Sequence, residues 1–564
     1  MPVPVSGRGS RKAIGAGLLD YNSLIMLLET SLPETLRLVV VSLLAVLLAT
    51  GCSLADEADP EGLQTVAVYG LNRQPAGFDP HRHRNNVTAV VARQVYDTLL
   101  YRHPLTRELV PGLAREWSLS RDGRILDLQM REDVRFHDGS RMDAAAVVSS
   151  LDRIVASDSD DPQLGALSER YIGTEIVDNF RVNIVLSQPW TPLLDALTQP
   201  AYAIVSPAAL ARWSDARYQF YQVGSGPFRF VNYIPGERVV LARNPDYSWG
   251  PEFLDFPDKG AVDTIEFRFI DDAKSRESAL QSGDIDLLDR LLPSELRASE
   301  AVGMRTELVP VPGQPLMFHF NTARFPTSLR GLRQALILMT NRVAIANAGG
   351  QPVAPVAWGP LSENTLYFYG NLRGLYALDR QLAHDLLEQS GIADSDGDGW
   401  VDVDGIPMQL DILVTPANSI PQAADLLVAQ WRDSGIRSSL RPVPTRDALR
   451  ELVRQNDYHL IASAHQGFDP AWLGEYFGSA GASNWSRFQD DELDDLLREA
   501  LVNAETRARF SMYARIQQIV MDRAIVLPLR DQVNIVAVAP GLNGLLWDAS
   551  GLIPWLHNLH FLNS

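Results

Sequence analysis

The sequence predicts a mixed α/β or α+β architecture, built as two large lobes or as three to four smaller domains. Three observations predict it. Strand-like and helix-like runs are mixed along the whole length, the pattern of α/β and α+β folds. The chain has 564 residues, room for about three or four domains at roughly 100–200 residues each. Hydrophobic residues make up 46% and charged residues 21%, the balance of a chain that buries a core rather than staying disordered.

The elements follow in order from Thr65. TVAVYG is a short strand ended by glycine. Val87, Val90, Val91, Val95 and Leu99 recur at helical spacing over 87–101. RILDLQM at 124–130 alternates as a strand does, and HDG at 137–139 marks a turn. Asp143 then caps a helix that begins AAAVVSS. Strands are predicted at 180–186, 228–233, 238–242 and 264–270. Gly224, Gly226 and Pro227 open a hairpin whose tight turn calls for positive φ. Helices are predicted at 275–282, 329–346, 379–390, 422–434 and 490–522. Arg333 sits on the second of these among Leu332, Ala335 and Leu336, where a structural salt bridge is expected.

Lys plus Arg number 50 and Asp plus Glu 69, a formal charge of −19. That sign argues against nucleic acid as the main partner, since binding it means neutralising phosphates with cations. The single cysteine, Cys52, rules out an internal disulfide and any zinc site with two thiolates. No G-x-S-x-G, H-E-x-x-H, P-loop or dinucleotide fingerprint in a strand–turn–helix setting is present.

Residues 38–50, LVVVSLLAVLLAT, carry no charge and follow Arg37. They are too few to span a bilayer comfortably, which takes about twenty, and match the apolar region of a secretory signal. Ala49-Thr50-Gly51-Cys52 resembles the lipobox of bacterial lipoproteins, with Ala49 where leucine is commoner. The resemblance implies cleavage before Cys52 and lipidation of its thiol. Residues 1–51 would then be a signal peptide with Met26 as an alternative start, and 52–64 an acidic lipidated tether. The mature charge would be −20, because residues 1–51 carry four basic and three acidic side chains.

Six segments in register resemble the family 5 extracellular solute-binding proteins, the dipeptide- and oligopeptide-binding components of ABC importers. They are VYDTLLYRHPLTRELVPGLAREW at 95–117, SRDGRILDLQMREDVRFHDGSRMDAAAVVSSLDRI at 120–154, and GSGPFRFVNYIPGERVVLARNPDYSWG at 224–250. LRGLRQALILMTNR at 329–342 follows, with Asn341 replacing the usual aspartate. LLVAQWRDSGIRSSL at 426–440 and the long helix at 490–522 complete the set.

The resemblance implies an α/β, two-lobe periplasmic-binding-protein-like fold, type II, of the large peptide-binding class with an extra subdomain. Lobe I would be 65–316 plus 530–564 and lobe II 317–529, with crossovers near Asn321 and at Val526-Leu527-Pro528-Leu529. It further implies a non-enzymatic, monomeric lipoprotein without a cofactor, in the periplasm and lipid-anchored to a membrane. Such a protein would pass a peptide-like solute to ABC permease subunits. A nickel, haem or oligosaccharide binder on the same scaffold, a secreted hydrolase, and an envelope scaffold protein remain open alternatives.

In peptide-binding relatives a cleft aspartate, in a pattern like Asp-x-x-Asp-Pro, pairs with the peptide ammonium. Here Gln466 takes the first position and Asp469 the second. The candidate ligand-binding residues are therefore Gln466, Phe468, Asp469 and Trp472. A neutral amide gives up the charge assistance that roughly doubles such a bond. Separately, Asp394, Asp396, Asp398 and Asp402 in DSDGDGWVDVDG follow the spacing of a calcium loop but lack its final glutamate, Gly405 standing there. His81 and His83 offer two imidazoles for a transition metal.

Overall fold

The structure is a computed structural model that describes residues 65–157, 162–254, 261–347, 354–415 and 421–562. The leader, Cys52 and the tether lie outside the described residues. Thr65–Ser564 form one compact unit.

A ten-stranded mixed sheet runs through this unit. From one edge its strands are Ser438–Pro442, Leu410–Val414, Leu460–Gln466, Arg305–Phe320, Val526–Val538, Leu287–Leu288, Val66–Leu71, Thr264–Phe269, Arg238–Arg243 and Phe228–Ile234. Arg305–Phe320 and Val526–Val538 are far longer than the rest and pair antiparallel along most of their length. Val526–Val538 pairs on its other side with Leu287–Leu288, and Arg305–Phe320 pairs on its other side with Leu460–Gln466. These two crossing strands join the halves of the molecule. Their register breaks between Val311 and Leu316, a bulge that bends the ladder and leaves backbone groups in need of other partners.

Each half has its own core. Val90, Phe228, Phe267 and Val536 belong to one; Phe320, Leu336, Trp431 and Leu460 to the other. A side chain of this kind adds roughly 1.5–3 kcal/mol when fully buried. A separate four-stranded sheet, in the order Ala114–Leu119, Ile125–Met130, Arg181–Leu186, Tyr171–Asp178, forms the extra subdomain. The alternation read in RILDLQM becomes burial of Leu126, Leu128 and Met130 against the helix Ala144–Val155. Asp143 caps that helix by accepting from the Ala146 amide.

Several predicted elements change at their ends. The helix read over 87–101 is Asn86–Val95; the chain then extends into the strand Leu100–Arg102. The helix read over 329–346 is two, Arg330–Met339 and Arg342–Ala346. Asn341 breaks it by capping the second piece through the Ala344 amide, work that an aspartate would do equally well. The span 490–522 also divides, into Asp491–Val502 and Thr506–Asp522, each with its own acidic cap, Asp490 and Glu505.

Two expectations fail for physical reasons. Gly224 and Gly226 are absent from the positive-φ residues; in their hairpin that conformation falls at Gly236, φ 79°. They are needed for close approach, because a Cβ on Gly224 would stand 2.0 Å from the Val95 carbonyl oxygen. Among the described residues, Arg333 forms no salt bridge. It donates to four backbone carbonyls, those of Thr327, Ser328, Arg523 and Ala524, and so closes loop ends that water would otherwise satisfy.

Candidate functional site

A cavity of about 500 Å³ lies between the two halves. Its walls come chiefly from 80–93, 101–102, 190–201, 465–475 and 548–555. A volume in this range suits a small-molecule site.

One wall starts at the helix Asn86–Val95. Asn85 accepts from the Val87 and Thr88 amides and fixes the first turn. That presents Asn86 at the rim. The opposite wall is the loop that ends the strand Leu460–Gln466. The Asn86 amide donates to Gln466 Oε1 at 2.8 Å, across the mouth of the cavity. Two further contacts join the two halves. The Thr191 amide donates to the Leu501 carbonyl at 2.9 Å, and Arg107 Nη2 donates to Asn364 Oδ1 at 2.8 Å.

The cavity brings three of the four predicted binding residues together: Gln466, Phe468 and Trp472 all line it. The Arg102 guanidinium lies 4.4 Å from the Phe468 ring centroid, in cation–π range, and pairs with Asp195 at 3.1 Å. Trp472 packs on His465 and edge-on against Tyr476.

Asp469 does not join them. It is 4% exposed and faces the helix Thr506–Asp522. There Arg509 donates to both its oxygens, at 2.9 and 3.0 Å. Asp469 also accepts from the Ala471 amide and so caps the short turn Pro470–Trp472. Burial disfavours the Arg509 cation, but the carboxylate outweighs it and raises the guanidinium above its ordinary range. The carboxylates on the cavity wall are likewise engaged. Asp195 is paired with Arg102, Glu475 accepts from Ser483, and Asp548 accepts from Ser550.

The other candidates separate. His81 is fully buried, its Nδ1 accepting from Arg153 and its Nε2 donating to the Ala203 carbonyl. Burial, then the Arg153 charge, lowers it to about 4. Both its ring nitrogens are used, so it cannot join His83 as a metal pair. Asp394, Asp396 and Asp398 do converge on one point and are exposed. Asp402 instead accepts from Ser395 and from the Gly405 amide. Ser463 Oγ stands 2.8 Å from His319 Nε2, the pairing a hydrolase uses, but both residues are 0% exposed. Burial lowers His319 to about 3, so it stays neutral and out of reach of solute.

Sequence reasoning missed Asn86, Arg102, Arg509 and Gln532. Arg509 had a signal: it continues the buried stripe Tyr513, Ile516, Val520 at helical spacing, and an arginine on such a stripe calls for a buried acid. Asn86 and Gln466 are 380 residues apart, and nothing local links them.

The family model "Bacterial extracellular solute-binding proteins, family 5 Middle" matches residues 108–485. The chain is 26% identical to the heme-binding protein A of Haemophilus influenzae, over 90% of this chain and 96% of that one. It is 25% identical to the nickel-binding periplasmic protein of Escherichia coli, over 88% and 94%. It is 24% identical to the dipeptide-binding protein of the same species, over 90% and 96%. The crystal structure of NikA from Brucella suis in complex with Fe(III)-EDTA superposes with a TM-score of 0.77 at 24% identity, covering 88% of this chain and 100% of that one.

Proposed function

Because this chain belongs to the bacterial extracellular solute-binding proteins of family 5, we propose that it captures a peptide-like solute between its lobes and delivers it to the permease of an ABC importer. Lobe I is 65–316 plus 530–564, lobe II is 317–529, and the crossing strands are the hinge. The mature protein is tethered through a lipid on Cys52 and works as a monomer on the outer side of a membrane. No helix among the described residues is long and apolar enough to cross one.

The observation that carries the reading is the cavity, closed over by both halves of the chain and rimmed with side-chain amides. Asn85, Asn86, Gln199 and Gln466 all line it. Amides offer both donors and acceptors, which is what a peptide backbone presents in return. The solute does not need a free amino terminus at Asp469, whose carboxylate is taken by Arg509. Binding works by closure: the solute adds contacts that exist only when the lobes meet, and so shifts the population toward the closed state.

The placement of His83 and His465 on the same walls favours a second reading, a metal chelate or haem held by the same cleft. Native mass spectrometry of the purified protein separates the two. Co-purified masses resolving into short peptides support the first reading. A nickel-containing adduct or a porphyrin mass would overturn it.

A further inference from the structure

We propose that Asn86, Gln466 and Gln532 form an amide relay that positions the two halves in the closed state and ties that state to the crossing strands. The inference rests on the hinge reading above and concerns closure, not the solute.

The relay starts at the bulge. Gln532 lies on the second crossing strand, and its Nε2 donates to the Gln314 carbonyl at 2.7 Å and to the His465 carbonyl at 2.8 Å. These are carbonyls on the two strands next to the break in register. The side chain thus supplies the donors that the broken ladder lacks. Two carbonyls facing one amide fix its orientation, since its own oxygen turned the same way would meet both of theirs.

Orientation then propagates outward. Gln532 must present its oxygen to Gln466, and Gln466 presents its nitrogen, at 3.4 Å. Gln466 is left with its oxygen toward the rim, where Asn86 donates to it at 2.8 Å. Each amide therefore gives its nitrogen toward the hinge and its oxygen toward the rim. This accounts for a neutral residue at 466. A carboxylate there would still accept from Asn86 but would set an oxygen against Gln532 Oε1. Gln466 is accordingly a positioning residue for the two lobes.

The test uses the full chain with Cys52→Ser, which leaves no other cysteine. Ile172→Cys and Asp447→Cys place spin labels on exposed sites of the two halves. Distance distributions are recorded on protein dialysed free of solute. The background protein is expected to show a closed majority. Asn86→Ala and Gln466→Glu are each expected to raise the open-to-closed ratio about three- to tenfold, the effect of one lost hydrogen bond. Asn86→Ala/Gln466→Ala should do no more than Gln466→Ala alone, because the change at 466 already removes the contact that Asn86 makes. The thermal midpoint, which a merely structural role would lower, should stay within about 2 °C. Two populations whose ratio stays within twofold of the background in every variant would overturn the relay alone. A single distance that no variant moves would overturn the relay and the hinge reading together.

Discussion

Gln466 and Asp469 stand three residues apart in one loop and live in opposite environments. Gln466 is exposed at the cavity rim and bonds to neutral amides on two other segments. Asp469 is buried and bonds to an arginine on a helix behind the wall. The neutral residue lines the cavity and the charged one faces the scaffold. An acidic residue at a motif position is therefore not by that fact a ligand contact. A fully hydrogen-bonded buried ion pair is satisfied, and drawing its carboxylate toward a ligand would strand the arginine.

Removing one member of the buried pair should have the largest effect. Asp469→Ala leaves the Arg509 charge uncompensated and is expected to cost about 3–5 kcal/mol, read as a lower urea midpoint. Asp469→Asn combined with Arg509→Met should recover most of it. If Asp469→Ala left stability intact and abolished binding, the assignment of the carboxylate to the scaffold would be wrong.

A second test lies beside the relay. Asp531 is 2% exposed, its Oδ2 accepts from the Glu363 amide, and burial, opposed by that bond and helped by the Glu363 charge, lifts it to about 7. A carboxyl raised in the folded state binds its proton longer there than in the unfolded chain. Its contribution to stability is therefore greatest at low pH and is lost as pH rises from about 4 through about 7. Asp531→Asn should gain on wild type by roughly 2–3 kcal/mol more at pH 7.5 than at pH 5. A difference that does not depend on pH would place the proton elsewhere.

The smallest effect is expected at 394–405. Asp394 accepts from the Gly397 and Gly399 amides, Asp396 from Asp398, and Asp398 from Trp400 and Arg437. The loop is closed by its own backbone donors, as Asx turns are. Adding calcium or a chelator should shift the melting temperature by less than about 1 °C. A rise of several degrees with calcium would make this a metal loop.

Much of the fold was legible because local rules set it. Alternation in 124–130, the Asp143 cap and the turn at Gly139 all turn on neighbours a few residues away. The family motifs were legible too, and the structure shows why they are scaffold. Asp97 accepts from Tyr101, Ser225, Tyr247 and Trp249, which ties two of the quoted segments together in the interior. Helix ends at 341 and 503–505 were missed because apolar spacing continues across a cap. The site was legible only as a loop. Which way each of its side chains faces depends on Asn86, Arg509 and Gln532, distant in sequence and brought near by tertiary packing.

With its carboxylate held by Arg509, Asp469 is not expected to serve as counter-ion for the amino terminus of a solute. Calorimetric titration with a tripeptide pool, once with free and once with acetylated amino termini, tests it most directly. Affinities within about threefold of each other are expected, because no charge-assisted bond is lost. Binding of the free pool with a hundredfold weaker response to the acetylated one would contradict it.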